Sequence, residues 1–241
     1  MFLGEARVPE GLRLYAIGDV HGCDDLLAEI HTKIADDLEA DPAESVRIIH
    51  LGDYVDRGPD TAAVVERLSR LYEADVRVVC LRGNHEEMVL DFLTQPLTGS
   101  ETWLANGGDA TLSSYGIAMP SGDEDDWRTT KLSEEFAAAL PAHHHRFLAS
   151  LGYSAQFGDY FFCHAGIRPG IPLAEQDPHD LTWIREGFLD SDADFGVVVV
   201  YGHTVAKVPE IRPNRIGIDT GAVRYSNLTC LVLDGNTQRF L

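Results

Sequence analysis

The chain has 241 residues, 44% of them hydrophobic and 24% charged, which describes a globular protein able to close a sizeable core and excludes wholesale disorder. Nineteen basic against 39 acidic residues leave a formal net charge of −20, a surface that repels phosphate backbones and anionic lipid. Nucleic-acid and membrane partners are therefore not expected. The apolar runs are strand-length, such as Val197 to Tyr201, and the N-terminus, broken by Gly4, Glu5 and Arg7, carries no signal-peptide core. The cysteines, Cys23, Cys80, Cys163 and Cys230, are far apart with no Cys-x-x-Cys, and read as reduced thiols in a cytoplasmic protein.

In chain order, Leu12 to Ile17 reads as a buried strand stopping at Gly18. Asp24 to Leu38 carries Leu26, Leu27, Ile30, Ile34 and Leu38 at helical spacing, with Asp24 and Asp25 suited to the helix N-terminus. Val46 to Leu51 is a second strand closed by Gly52, and a helix follows from about Thr61 to Tyr72. Val76 to Leu81 is a third strand closed by Gly83, and Glu86 to Leu93 reads as helix. This βαβαβα pattern places polar residues at strand carboxyl ends, where open α/β folds build sites. Residues from about 94 to 126, rich in Gly, Ser, Asp and Thr, suggest an irregular insertion with one short helix. A helix pair, Lys131 to Leu140 and Ala142 to Leu151, is broken at Pro141. Strands follow at Tyr153 to Phe157, Tyr160 to Cys163, Val197 to Tyr201, Ile216 to Ile218 and Leu228 to Leu233, with turn signals at Gly158-Asp159 and Asp234-Gly235-Asn236 that suggest hairpins and a second sheet. The expected architecture is α/β, two packed mixed β-sheets flanked by helices, in one domain over 1–241 with a variable, cap-like insertion around 94–151.

Five strand-end segments hold the ligand-type residues: Gly18-Asp19-Val20-His21-Gly22, Gly52-Asp53-Tyr54-Val55-Asp56-Arg57-Gly58, Gly83-Asn84-His85-Glu86, His164-Ala165-Gly166 and Gly202-His203-Thr204. Their glycines permit tight turns and close backbone approach, so the ligands can leave the strands and point into a cleft. Aspartate, histidine and asparagine suit divalent Mn, Fe or Zn, and the absence of cysteine ligands argues against a structural zinc site.

Together and in this order, the five segments resemble the phosphoprotein phosphatase family of calcineurin-like metallophosphoesterases, closest to its small bacterial and bacteriophage-type members, over about residues 14 to 221. The resemblance implies the four-layer metallophosphoesterase fold and two divalent ions, manganese foremost. Asp19 and His21 would hold one ion, Asn84, His164 and His203 the other, and Asp53 both. It further implies direct attack on the phosphate ester by a hydroxide shared between the ions, with no phosphoenzyme. His85 would be the general acid, oriented and kept cationic by Asp56, and Arg57, Arg82 and, in a Trp-x-Arg segment, Arg185 would grip the phosphate. The implied substrate is a phosphorylated protein, of the phosphoserine and phosphothreonine class, or a small phosphoester.

Two rivals stand beside that expectation. A symmetrical diadenosine tetraphosphate hydrolase shares most of the motifs, but typically has alanine where this chain has Asp56 and aspartate where it has Glu86. A non-catalytic phosphate-binding module would have lost at least one ligand position. Other features have plain readings. His143-His144-His145 suits a solvated helix face, because successive helical residues point about 100° apart and cannot all chelate one ion. The acidic run 123–126 suits a solvated loop, Trp103 either the cleft or the core, Asn106 a helix C-cap, and Cys23 either a sensitive thiol or a small buried spacer.

Overall fold

The computed structural model describes residues 1–119 and 126–241. Strands β1 (Leu12–Ile17), β2 (Ser45–His50) and β3 (Val78–Cys80) pair in parallel, with helices α1 (Asp24–Ala40) and α2 (Thr61–Ala74) as the crossovers. After α3 (Asn84–Thr94) come α4 (Pro96–Ala105), α5 (Gly108–Ser114), α6 (Asp126–Ala139) and α7 (Ala142–Ser150). The chain then runs through β4 (Ser154–Phe157), β5 (Tyr160–Cys163), a 3₁₀ turn at Leu173–Glu175, α8 (Pro178–Trp183), β6 (Val198–Tyr201), β7 (Glu210–Arg212) and β8 (Arg215–Gly217). It ends with α9 (Ala222–Tyr225), β9 (Cys230–Asp234) and β10 (Thr237–Phe240).

Two five-stranded mixed sheets result, ordered β10-β9-β1-β2-β3 and β4-β5-β6-β8-β7. Strand alternation sorts the core into layers. Leu14 and Ala16 of β1, Tyr160 and Phe162 of β5, and Val198 and Val200 of β6 meet between the sheets. Tyr15 and Ile17 face the opposite way, onto Leu27, Ile30 and Ile34 of α1 and Val64, Val65 and Leu68 of α2. Phe161, Cys163, Val199 and Tyr201 face outward beneath Leu181, Ile184 and Phe188. The order is helices, sheet, sheet, helix and loop, as the sequence implies.

Several expectations need correction. Among its described residues, 94–119 and 126, the segment expected to be irregular with one short helix holds two, α4 and α5, and the start of α6 at Asp126. Their low propensity, with Gly99, Gly107 and Gly108 in or beside them, is overridden by packing. Trp103 and Phe136 are fully buried, with rings stacked at 5.6 Å, and Phe92 of α3 lies 4.6 Å from Trp103. The first three positions of the acidic run, 123–125, lie outside the described residues. Strand β3 starts at Val78, because the Asp75 carboxylate accepts the Arg77 backbone N–H in a turn and leaves Val76 exposed. The strand expected at Leu228 to Leu233 joins the first sheet, as β9 antiparallel to β1. Helix α3 begins two residues early, so Asn84 and His85 sit in its first turn.

The aromatic stack in the insertion sets a stability test. Phe136→Ala is expected to destabilise the fold by about 3–5 kcal/mol, measured by denaturant unfolding with the slope unchanged.

Candidate metal centre and proton donor

All five motif segments converge at the carboxyl ends of β1, β2 and β3 and of β5 and β6, where the two sheets meet. Six non-glycine residues among those described take a positive φ, and five belong to these motifs: His21, Asp53, Asp56, Arg57 and His203. Each costs backbone energy that the surrounding contacts must offset, which is how fixed sites are built. The loops also approach closely enough to need glycine. A Cβ on Gly52 (φ 108°) would lie 2.5 Å from the Gly83 nitrogen, and a Cβ on Gly202 would run into the Asp19 carboxylate.

Glu86 holds two of these loops together. Its buried carboxylate accepts the backbone N–H groups of Asp53 (2.9 Å), Tyr54 (2.8 Å) and Gly83 (2.8 Å). Burial and the nearby Asp53 push its pKa up to about 7. The sequence reading used Glu86 only to separate relatives and missed this strapping role.

Asp53 lies at the centre. Its Oδ1 is 3.3 Å from His164 Nε2 and accepts the His85 backbone N–H at 3.1 Å, while its Oδ2 is 3.5 Å from His21 Nε2. One oxygen thus faces each histidine group, as bridging two cations requires. On one side His21 donates from Nδ1 to the Val55 carbonyl at 2.9 Å, which leaves Nε2 as a lone pair aimed into the cleft. On the other, His164 donates from Nδ1 to the Leu51 carbonyl, and its Nε2 lies 3.0 Å from Asn84 Oδ1 and 3.1 Å from His203 Nδ1. Asn84 Oδ1, His203 Nδ1 and Asp53 Oδ1 crowd one nitrogen that can carry at most one proton.

Charge in this cluster is unevenly compensated. Burial, together with Asp219 and Asp53, raises the Asp19 pKa well above the ordinary carboxylate value. Asp53 is held well below it: burial opposes ionisation, and His164, His85 and His21 outweigh that. Burial works against charging His164, but Asp53 and Asp19 raise it to about 10. Asp19 Oδ2 accepts the His203 backbone N–H at 2.9 Å, whereas Asp19 Oδ1 and Asp219 Oδ2 are buried with no partner among the described residues. Buried carboxylate oxygens without donors, beside imidazole lone pairs, fit divalent cations in donor chemistry and in charge. Within this cluster two groups of donor atoms have a spacing suited to a metal, His21 with Asp53 and His85, and Asp53 with His164 and His203. Asp219, in Ile218-Asp219-Thr220-Gly221, was missed, although it too is an aspartate just past the end of a strand, like Asp19 and Asp53.

His85 and Asp56 form a buried pair. His85 Nδ1 donates to Asp56 Oδ2 at 2.6 Å, and His85 Nε2, 3.9 Å from Asp53 Oδ2, has no hydrogen-bond partner. The insertion completes the pair. Trp103 Nε1 donates to both Asp56 oxygens at 3.0 Å, and the Thr111 hydroxyl donates to Oδ1 at 2.6 Å while accepting the Asp56 N–H at 2.9 Å. Burial pushes the Asp56 carboxyl up, and its bonds with His85, Thr111 and Trp103 pull it back. Trp103 is therefore a core residue whose polar edge serves the site, and Thr111 was missed.

The arginines differ in placement. Arg57 is exposed at the cleft and donates to His21 Nε2 at 2.8 Å. Arg185 is exposed and near enough to His203 that its charge helps lower that imidazole, after the larger effects of burial and His164. Arg82 donates instead to the Tyr153 hydroxyl (3.1 Å) and to the carbonyls of Leu148 (3.2 Å) and Ala149 (2.8 Å), so a phosphate could be gripped only by giving these up. Cys23 is buried, and burial pushes its thiol up to about 11, a packed spacer rather than a reactive thiolate. Asn106 is the α4 C-cap, bonded to the Thr102 carbonyl.

This arrangement has counterparts among known proteins. The profile of the calcineurin-like phosphoesterases matches residues 12–227, and the chain belongs to that family of metallophosphoesterases, which work with a dinuclear metal centre. It is 28% identical over 234 residues to the asymmetrical bis(5'-nucleosyl)-tetraphosphatase PrpE of Bacillus cereus, covering 89% of this chain and 88% of that protein. It is also 28% identical over 226 residues to serine/threonine-protein phosphatase 1 of Salmonella typhimurium, covering 90% and 89%. A solved structure described provisionally as a diadenosine tetraphosphatase shares the fold, with a TM-score of 0.65 and 19% identity over 98% of this chain and 97% of that one.

The uncompensated carboxylates predict a dependence of stability on metal. Stripping the protein with a chelator is expected to lower its Tm by several degrees, and excess Mn²⁺ should restore it, as followed by differential scanning calorimetry.

Proposed function

We propose that this protein is a metal-dependent phosphomonoesterase for alkyl phosphate esters, with phosphoserine and phosphothreonine proteins as its substrate class. The carrying observation is the His85–Asp56 pair, braced by Trp103 and Thr111. An alkoxide is a strongly basic leaving group and needs a proton as its bond to phosphorus breaks, whereas the phosphate released from an anhydride needs little help. A buried carboxylate with donors from three side chains is costly to build unless the proton on its histidine matters.

In this reading Asp19 and His21 would hold one divalent ion, Asn84, His164 and His203 the other, and Asp53 would serve both, with Mn²⁺ as the working metal. When bound, the ions supply Lewis acidity that draws charge off the phosphate oxygens and activates the attacking water. Arg57 and Arg185 offer guanidinium forks to the phosphate, Arg57 turning from His21 to do so, and Arg82 is a third candidate. As the water oxygen bonds to phosphorus, the serine or threonine oxygen leaves and takes the proton from His85 Nε2. Asp56 keeps the imidazole oriented by accepting its Nδ1 proton at 2.6 Å, so that Nε2 stays turned to the leaving oxygen. Residues 94–151 act as a cap on one catalytic domain. The four buried, free cysteines suit a reducing compartment, the cytoplasm; among the described residues no helix is long and apolar enough to cross a membrane.

The second reading is dinucleoside tetraphosphate hydrolysis, favoured by the name of the Bacillus relative, which is the asymmetrical activity and not the symmetrical one. A non-catalytic binding module is the weaker reading, because each ligand position the resemblance implies keeps a donor residue.

A panel of phosphoserine and phosphothreonine peptides, diadenosine tetraphosphate and mononucleotides, run with Mn²⁺, distinguishes the readings. The phosphopeptides are expected to have kcat/KM at least about tenfold above the others, and a reversed order would assign the nucleotide activity. His85→Asn is expected to reduce kcat on phosphoserine peptides by about 10²–10³-fold. On an aryl phosphate with an acidic leaving group the loss should be far smaller, and equal losses would count against the proton-donor role. Trp103→Phe keeps the ring and deletes the N–H. It should lower kcat about tenfold with metal content unchanged by elemental analysis.

A further inference from the structure

His143 and His144 do not form the solvated face their spacing suggests, and the site described above does not use them. His144 is buried and His143 half-buried, while His145 is exposed. Both Nε2 atoms reach one oxygen of Glu66 on the facing helix α2, at 2.6 Å from His143 and 2.8 Å from His144. The 100° offset between successive residues separates their Cα–Cβ directions. Near the helix N-terminus, however, two imidazoles of this length can still lean to a common point on a neighbouring element, and these rings sit 4.4 Å apart at 71°. The three still do not converge together, since His145 is not part of the group, but two of them do.

We infer that Glu66, His143 and His144 form a third divalent-cation site, separate from the dinuclear centre and suited to zinc. Their three ligand atoms lie within 4.8 Å of one another. Tetrahedral zinc with bonds of 2.0–2.2 Å needs ligand atoms roughly 3.4 Å apart, so small side-chain rotations that open the 2.6 and 2.8 Å contacts would admit the ion. Two neutral imidazoles and one carboxylate are a borderline N/O set that favours zinc over magnesium or calcium. A partner for the outer nitrogen of the buried histidine is already in place: His144 Nδ1 lies 2.9 Å from the Tyr115 hydroxyl. With the ion on Nε2, Nδ1 carries the proton and donates it to that hydroxyl, which fixes the tautomer and ring orientation. The second Glu66 oxygen accepts from Arg70 one helical turn on, which orients the carboxylate and leaves the other oxygen to the ion. His143 and Glu66 are partly open to solvent, so the fourth position can take water. The ion would fasten α7 to α2 and, through Tyr115 at the end of α5, to the helix that carries Thr111.

Equilibrium dialysis against buffered free Zn²⁺ with elemental analysis tests this, comparing the full chain with Glu66→Gln and His143→Gln. Glu66→Gln keeps an acceptor for both histidines and is a poor metal ligand. Circular dichroism confirms that each variant is folded. The wild type is expected to hold one more zinc per chain than either variant, with affinity at that site falling by roughly 100-fold or more. Zinc added to protein already saturated with Mn²⁺ should raise the Tm of the wild type and not of the variants, with phosphatase rates in Mn²⁺ unchanged by the substitutions. Equal zinc counts in wild type and folded variants, or an equal Tm response, would overturn the proposal.

Discussion

The structure depends on how it tolerates a concentration of buried negative charge. Asp19, Asp53, Asp56, Glu86 and Asp219 are each at most 3% exposed and gather where the two sheets meet. A carboxylate in such a place ordinarily takes up a proton unless donors or cations answer it. Glu86 is answered by backbone N–H groups and Asp56 by side chains. Asp53 is answered by three imidazoles. Asp19 and Asp219 each keep an oxygen with no partner among the described residues, and that residual demand suits the cluster to cations rather than to a polar core. The left-handed backbone at Asp53, Asp56 and Arg57 follows from the same constraint, since one short loop must turn an aspartate to each of two tasks.

The insertion is part of this arrangement. Its aromatic stack, Phe92 against Trp103 against Phe136, presents the Trp103 N–H to Asp56, and α5 presents Thr111. His85, the proton donor we propose, is thus positioned by residues far along the chain from the loop that holds its carboxylate.

Much of the fold and of the centre was legible in the residues. Short apolar runs marked β1, β2, β5 and β6, with glycines closing β1, β2 and β6, because strands buried on both faces need continuous apolar runs and sharp exits. The edge strands β7 and β10 were not legible: Glu-Ile-Arg and Thr-Gln-Arg-Phe are polar and mostly exposed, and only pairing with a neighbour makes them strands. Helices α4 and α5 were hidden for a related reason, since glycine and β-branched residues lower their propensity and burial of Trp103 and Leu112 restores it.

What the amino-acid sequence determined alone is the set of donors and their order, because ligand chemistry is a property of residue type and short glycine-flanked loops can point only outward from their strands. What the tertiary structure decided is how those donors are shared. It turned one oxygen of Asp53 toward each histidine group and placed Trp103 and Thr111 on Asp56. It tied Glu86 across two loops, drew Arg82 toward the end of α7, and leaned two of three adjacent histidines onto one carboxylate. These are meetings between segments tens of residues apart, set by sheet order and helix packing, and no local spacing encodes them.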